Sequence, residues 1–208
     1  MTPQEVQAAM EGGAVVLDMR PPKPFAKEHV PGAVNFQFNR ADLADRAEMA
    51  LPQEGSYIVH AEPVPIAKVA VDILNKAGFT VTGYLDGGLK AWKEAGLPTE
   101  ELPLIDVDQL KAGLDGYRVI DTRERFEFKY GHVPGSEVLE WTEPWSAFEG
   151  VDDAKQLALV CGDQVRSCYV ASVMQRAGKN ACLVFGGMVD WVERGYPVEK
   201  SGSGAKAT

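Results

Sequence analysis

The chain has 208 residues, 45% of them hydrophobic and 25% charged, with a formal net charge of −9. That length accommodates one large domain or two of about 100 residues. An acidic balance argues against nucleic acid and anionic membrane surfaces as partners, because both require a basic face, and no apolar run approaches the roughly 20 residues of a membrane helix.

The opening MTPQEVQAAMEGG has neither a basic n-region nor an apolar h-region. A cytoplasmic location is therefore expected, or a periplasmic one if a signal peptide has been removed. Thr2 reads as a helix N-cap, Pro3 as the first helical residue and Glu5 as the capping-box partner, with Gly12-Gly13 as the stop. Ala14 to Leu17 reads as a buried strand closing on Asp18-Met19-Arg20, and His29-Val30-Pro31-Gly32-Ala33 as a turn into a short strand, Val34 to Phe36. A polar helical segment covers about Arg40 to Ala50. Tyr57 to Ala61 is the next strand, followed by a loop and a helix over Ile66 to Lys76. Val81 to Leu85 is the last strand of this half, and Asp86-Gly87-Gly88 leads into a helix carrying Trp92.

The same order then recurs. Asp106 to Gln109 caps a helix as Thr2 to Glu5 does, Val119-Ile120-Asp121-Thr122-Arg123 repeats the Asp-x-Arg strand end, and His132 to Ser136 repeats the turn. Phe185-Gly186-Gly187 with Trp191 repeats Asp86-Gly87-Gly88 with Trp92. The offsets stay near 100 residues, the signature of a tandem duplication. The expected halves are residues 1–101 and 102–200, with a polar tail over 201–208. The acidity is shared: 9 basic and 14 acidic residues in 1–101, 12 and 16 in 102–208. Short apolar strands alternating with helices indicate an α/β architecture with a mostly parallel sheet in each half.

The chemistry concentrates at Leu157 to Gly178. An apolar strand, Leu157 to Val160, ends at Cys161, and the turn Cys161-Gly162-Asp163-Gln164-Val165-Arg166 leads into a helix with Val170, Ala171, Met174 and Ala177 on one side. Loop N–H groups and a helix N-terminus favour a thiolate at such a place. A buried structural cysteine fits the strand–Cys–helix pattern equally well. The helical wheel puts Cys168 about 140° from the apolar side, outside the core. Cys182 lies within the strand Ala181 to Phe185 and reads as buried and inert. Three cysteines imply no disulfide framework, and the three histidines show no metal-ligand spacing.

Taken together, these motifs resemble the rhodanese (sulfurtransferase) family. They are the Asp-x-Arg strand end, the His-Val-Pro-Gly turn, the Cys-x4-Arg-Ser loop at Cys161, Arg166 and Ser167, the Gly-Gly-x3-Trp segment and a closing Gly-x-Pro. The resemblance implies two domains, each a five-stranded mostly parallel sheet flanked by helices. It also implies a loop cysteine that carries sulfur as a persulfide between a small donor (thiosulfate or 3-mercaptopyruvate) and a thiol, sulfite or cyanide acceptor, with no organic cofactor or metal. Cys161 and Arg166 are the expected catalytic pair, with Gly162, Asp163, Gln164, Val165 and Ser167 around the substrate. The related cell-cycle phosphatases have one more residue between Cys and Arg, which sets phosphatase and arsenate reductase chemistry behind sulfur transfer. A non-catalytic sulfur-relay or protein-binding module is the other alternative.

The first half serves as an internal control. Ala61 falls opposite Cys161, Ile66 opposite Arg166 and Ala67 opposite Ser167; Pro63 and Pro65 lack N–H groups, and Glu62 adds a negative charge. This half is expected to be inert, packing against the second and shaping its entrance. His60 reads as buried and hydrogen-bonded. His29, His132 and the Asp-x-Arg pairs occur in both halves and read as scaffold. Within the second loop, Gln164 stands where the family often has Gly, and Asp163 is a like charge for dianionic thiosulfate. Trp141 and Trp145 read as core or as a wall of the entrance.

Overall fold

The computed structural model describes residues 1–200; the expected tail over 201–208 lies outside the described residues. The chain divides into two compact units, Met1–Leu102 and Pro103–Thr208.

The first unit runs α1 (Pro3–Glu11), β1 (Val15–Asp18), α2 (Pro22–Lys27), β2 (Val34–Asn35), α3 (Leu43–Ala50), β3 (Tyr57–His60), α4 (Val64–Lys76), β4 (Val81–Tyr84) and α5 (Gly88–Glu94). Helix α1 starts where its cap residues place it: the Thr2 hydroxyl accepts the Glu5 N–H and the Glu5 carboxylate accepts the Thr2 N–H, the reciprocal capping box. The strands pair in the order β2-β1-β3-β4, all parallel. Every residue of β1 and β3 is buried, as expected of strands covered by helices on both faces.

The second unit runs β5 (Leu104–Asp106), α6 (Val107–Ala112), β6 (Tyr117–Asp121), α7 (Arg125–Tyr130), β7 (Glu137–Val138), α8 (Trp145–Glu149), β8 (Gln156–Val160), α9 (Val165–Arg176), β9 (Ala181–Phe185) and α10 (Gly187–Glu193). Its order is β5-β9-β8-β6-β7, again parallel throughout. Both units thus have the expected parallel α/β form, with four strands in the first sheet and five in the second. The fifth comes from β5, which pairs with β9 from Leu104↔Leu183 to Asp106↔Phe185. In the first unit that edge is held by Met1, whose amino group donates to the Tyr84 carbonyl and whose carbonyl accepts the Asp86 N–H. One residue does not make a strand. The core of the second unit, including Leu110, Val119, Val160, Val184 and Trp191, lies between sheet and helices. Each fully buried aliphatic side chain there is worth about 1.5–3 kcal/mol relative to exposure.

The repeated motifs do the same structural work in each unit. Asp18 and Asp121 are fully buried and hold Arg20 and Arg123, each with an Nη2–Oδ2 distance of 2.6 Å. The same Nη2 of each guanidinium also donates to a carbonyl 2.8 Å away, that of Glu28 or Gly131, and so ties a strand end to the following helix. His29 Nδ1 donates to the Phe25 carbonyl and His132 Nδ1 to the Phe128 carbonyl, both at 2.8 Å. Each imidazole also stacks on that phenylalanine, with centroids 3.9 and 3.6 Å apart. Trp92 and Trp191 each donate to a proline carbonyl, of Pro98 and Pro197. Groups that behave alike in both units are scaffold.

Candidate active site

Strand β8 lies inside the second sheet, between β9 and β6. Cys161 follows it directly, beyond the carboxyl end where parallel sheets receive ligands. Two contacts pin the loop from the side of α10. The Cys161 carbonyl accepts the Met188 N–H at 2.7 Å, and the Gly162 carbonyl accepts the Val189 N–H at 3.1 Å. This close approach needs Gly187. Its φ is +57°, and a Cβ there would stand 2.4 Å from the Cys161 carbonyl oxygen.

Gln164 is the one non-glycine residue with positive φ among the described residues, at 90°. A left-handed conformation costs a side-chain-bearing residue about 1 kcal/mol. It is held by its own side chain, whose Oε1 accepts the Gly186 N–H at 3.2 Å. The result is functional geometry: the Gln164 N–H points at Cys161 Sγ, 3.2 Å away. The Ser167 hydroxyl, from the first turn of α9, donates to the same sulfur at 3.3 Å. Cys161 is fully buried at the base of this loop. The sulfur therefore sits beneath two donors at a helix N-terminus, an environment suited to holding an anion.

The other expected site residues are arranged differently. The Val165 N–H donates to Asp163 Oδ1 at 3.1 Å, and that carboxylate oxygen is 3.9 Å from Cys161 Sγ. Asp163 therefore occupies a loop donor that an incoming anion would otherwise meet. The Arg166 guanidinium is clamped by two carboxylates: Nη1 donates to Glu124 and, at 2.6 Å, to Glu127, while Nη2 donates to Glu127 at 3.1 Å. Burial pushes the Glu127 carboxyl up, but hydrogen bonds from Arg166 and Glu124 outweigh it and bring it down to about 2. Burial likewise works against the Arg166 charge, and Glu127, Cys161 and Glu124 together hold its pKa above the ordinary value. Gly162 faces this guanidinium, with Arg166 Nη2 3.4 Å from where a Cβ would be.

Glu124 and Glu127 were not among the expected site residues. A signal was present: by the repeat they fall opposite Pro21 and Pro24, so both carboxylates occur in the half that has Arg166 and are absent where Ile66 replaces it. Trp141 and Trp145, from α8 and the segment before it, brace the site against α9. Trp141 is buried, donates to Glu124 Oε1 at 3.1 Å and meets Tyr169 edge-on; Trp145 donates to the Tyr169 hydroxyl at 2.7 Å.

Two expectations are corrected here. Cys168 is fully buried, not peripheral to the core. The wheel treated α9 as a one-faced helix, yet every residue from Ser167 to Met174 is buried, because α8 and its tryptophan pack on α9 away from the sheet. In the first unit, His60 is buried as expected but neither ring nitrogen has a hydrogen-bond partner. Its Nε2 lies 3.9 Å from Asp18 and 3.8 Å from Glu62. Burial pushes its pKa down, helped by Arg20 and opposed by Asp18 and Glu62. Cys182 is buried, and burial alone raises its thiol pKa to about 12, which makes it a poor nucleophile. No disulfide joins the three cysteines.

A cavity of about 520 Å³ opens at the other end of the second sheet, lined by residues including Tyr117, Arg118, Glu137 and Lys155 but none of the Cys161 loop. In the first unit a cavity of about 480 Å³ lies by the position of the missing cysteine, bounded by Arg20, Glu28, Glu62, Lys90 and Lys93. Among the described residues no group of three or more His, Cys, Asp or Glu side chains is placed to hold a metal ion, and no helix is long and apolar enough to cross a membrane.

Comparison with known proteins bears on both units. The chain is 33% identical over 102 residues to the uncharacterized protein slr1261 of Synechocystis sp., covering 48% of this chain and 54% of that one. It is 31% identical over 101 residues to the thiosulfate sulfurtransferase GlpE of Ectopseudomonas mendocina, covering 48% of this chain and 88% of that one. The chain spans about half the length of the Synechocystis relative. Among solved structures, a rhodanese-related protein from Thermoplasma volcanium aligns at 29% identity and a TM-score of 0.42, over 47% of this chain and 97% of its own. The rhodanese-like domain model matches twice, at residues 2–95 and 106–194. Two matches that together cover most of the sequence, one on each unit, show that the chain belongs to the rhodanese-like domain family and contains that domain in tandem.

Proposed function

We propose that the second unit is a sulfurtransferase that carries sulfane sulfur as a persulfide on Cys161, and that it works in the cytoplasm, where thiols stay reduced. The observation that carries this reading is the Cys161 sulfur buried beneath the Gln164 N–H and the Ser167 hydroxyl, at 3.2 and 3.3 Å, at the carboxyl end of β8. Relatives named as thiosulfate sulfurtransferases support it.

The reaction proceeds in two halves. The Cys161 thiolate attacks the sulfane sulfur of a donor such as thiosulfate or 3-mercaptopyruvate. An Sγ–S bond forms, and the bond to the donor breaks with its electron pair leaving on sulfite or on the pyruvate enolate. The same donors that meet Sγ hold the persulfide anion. A thiol, sulfite or cyanide then attacks the outer sulfur and returns Cys161 as a thiolate. Arg166, fixed by Glu124 and Glu127, orients the loop. The first unit, with Ala61 at the equivalent position, takes no part in the chemistry.

The test is intact mass spectrometry of the full chain after exposure to thiosulfate or 3-mercaptopyruvate. One added sulfur atom on the parent and none on Cys161→Ser is the expected result. A second reading, a module that binds a partner without transferring sulfur, draws on Asp163, which takes the Val165 N–H. That reading predicts no added sulfur with any donor.

A further inference from the structure

Charge around the Cys161 loop is one-sided. Asp163 is exposed, 3.9 Å from Sγ, and bonded to the Val165 N–H. Arg166 is the only basic residue between Cys161 and Ser167, and Glu124 and Glu127 already hold it. On the adjoining segments, Glu140 accepts the Arg125 N–H at 2.6 Å, and Glu140 and Glu143 face the Arg125 guanidinium at 3.9 and 3.3 Å. Five carboxylates thus stand against two guanidinium groups, both of them paired. A dianion entering this loop finds its cation engaged and a carboxylate beside the nucleophile.

On the sulfurtransferase reading above, we propose that Cys161 takes its sulfur from persulfides on neutral or cationic carriers in preference to dianionic thiosulfate, with Asp163 and the Glu124–Glu127 clamp on Arg166 as the specificity determinants. In this step the Cys161 thiolate attacks the outer sulfur of R–S–SH. The Sγ–S bond forms as the carrier's S–S bond breaks, and the electron pair leaves on R–S⁻. The proton stays on the transferred sulfur, giving Cys161–S–SH. One thiolate is consumed and one released, and no external oxidant or reductant is needed. A cationic carrier approaches with attraction, and its leaving thiolate exits without net negative charge. Thiosulfate must bring two charges in and release sulfite in their place. Near a protein surface each unfavourable carboxylate contact slows such an encounter on the order of tenfold at low salt.

The experiment is a charge series on the full chain, ordered by the carrier group on the leaving sulfur: cysteamine persulfide (cationic carrier), 2-mercaptoethanol persulfide (neutral carrier), mercaptoacetate persulfide (anionic carrier) and thiosulfate (dianionic). The rate at which Cys161 gains one sulfur is read by intact mass and divided by the rate of the same donor with a free thiol in solution. Normalised rates should fall along the series, spanning on the order of a hundredfold at low salt and compressing at high salt. Asp163→Asn, which keeps an acceptor for Val165, and Glu127→Gln, which loosens the clamp, should each shrink the cysteamine-to-thiosulfate ratio by about tenfold. A flat or reversed series overturns the proposal, as does a ratio insensitive both to salt and to folded forms of the two variants, with melting transitions like the parent's. Failure of all four donors to place sulfur on Cys161 overturns instead the sulfurtransferase reading on which it rests.

Discussion

The two loops at the carboxyl ends of β3 and β8 share a scaffold and differ in chemistry. In the first, buried Ala61 is followed by Glu62 and Pro63. In the second, Cys161 is followed by a left-handed Gln164 that aims its N–H at the sulfur, and Ser167 closes over it. The Asp–Arg pair, the imidazole stacked on phenylalanine and the tryptophan bonded to a proline carbonyl are the same in both units. A tandem duplication thus separates what holds a rhodanese-like domain together from what is specific to one loop. The difference extends past the loop itself, since Pro21 and Pro24 stand where Glu124 and Glu127 clamp Arg166.

The sharpest way to break this comparison is to move the nucleophile. Cys161→Ser should abolish sulfur transfer, and adding Ala61→Cys to that variant should not restore it, because Ala67 stands in place of the Ser167 hydroxyl and Val64 lacks the left-handed backbone by which Gln164 aims its N–H at the sulfur. Cyanide-dependent turnover is the readout; recovery with Ala61→Cys would mean that position alone, not loop geometry, separates the units. A smaller but still large effect is expected from Gly187→Ala. The added methyl would stand 2.4 Å from the Cys161 carbonyl oxygen and force the loop to shift. A loss of about 10²-fold in sulfur-transfer rate should follow. At Gly88 the corresponding methyl meets only side-chain atoms of Glu62 and His60, at 3.2 Å, so Gly88→Ala should leave turnover near the parent's.

Asp18→Asn and Asp121→Asn test the shared scaffold. Each leaves a buried guanidinium without its carboxylate, and each should cost its unit about 3 kcal/mol in urea unfolding. A marked difference between the two would deny that the pair plays one structural role. The smallest expected effect is on pH. Burial lowers the pKa of both His29 and His60. The unfolded chain therefore binds more protons than the folded chain below the ordinary histidine value of about 6.5. Stability from these groups is complete above that pH and declines as pH falls through the lowered folded values. Protection of the β3 amides against hydrogen exchange, taken relative to the intrinsic rate at each pH, should fall between pH 7 and pH 5, less so in His60→Gln; an unchanged slope in that variant would remove His60 from the account.

Much of this is legible in the amino-acid sequence. The capping boxes at Thr2 and Asp106 are local, because cap and partner lie three residues apart. The parallel α/β form followed from short apolar strands separated by helices, and the likeness of the halves followed from the repeat. Cys168 was misplaced because periodicity reports one apolar face and cannot see α8 covering another side of α9. His60 was expected to find a partner because buried imidazoles usually do; its neighbours Asp18 and Glu62 stop at 3.9 and 3.8 Å.

By itself, the amino-acid order determined the fold class, the duplication and the asymmetry between Ala61 and Cys161, since strand period, turn residues and side-chain chemistry are properties of neighbouring residues. Only the tertiary structure decided what surrounds the sulfur. Arg166 and Glu127 are 39 residues apart, and Gln164 and Gly186 are 22 apart. Contacts across such separations exist only after the sheet has brought α7, α9 and α10 to the ends of the same strands. Side-chain hydrogen bonds act over about 3 Å, so whether Arg166 faces a substrate or two carboxylates depends on that packing and not on the loop's own residues.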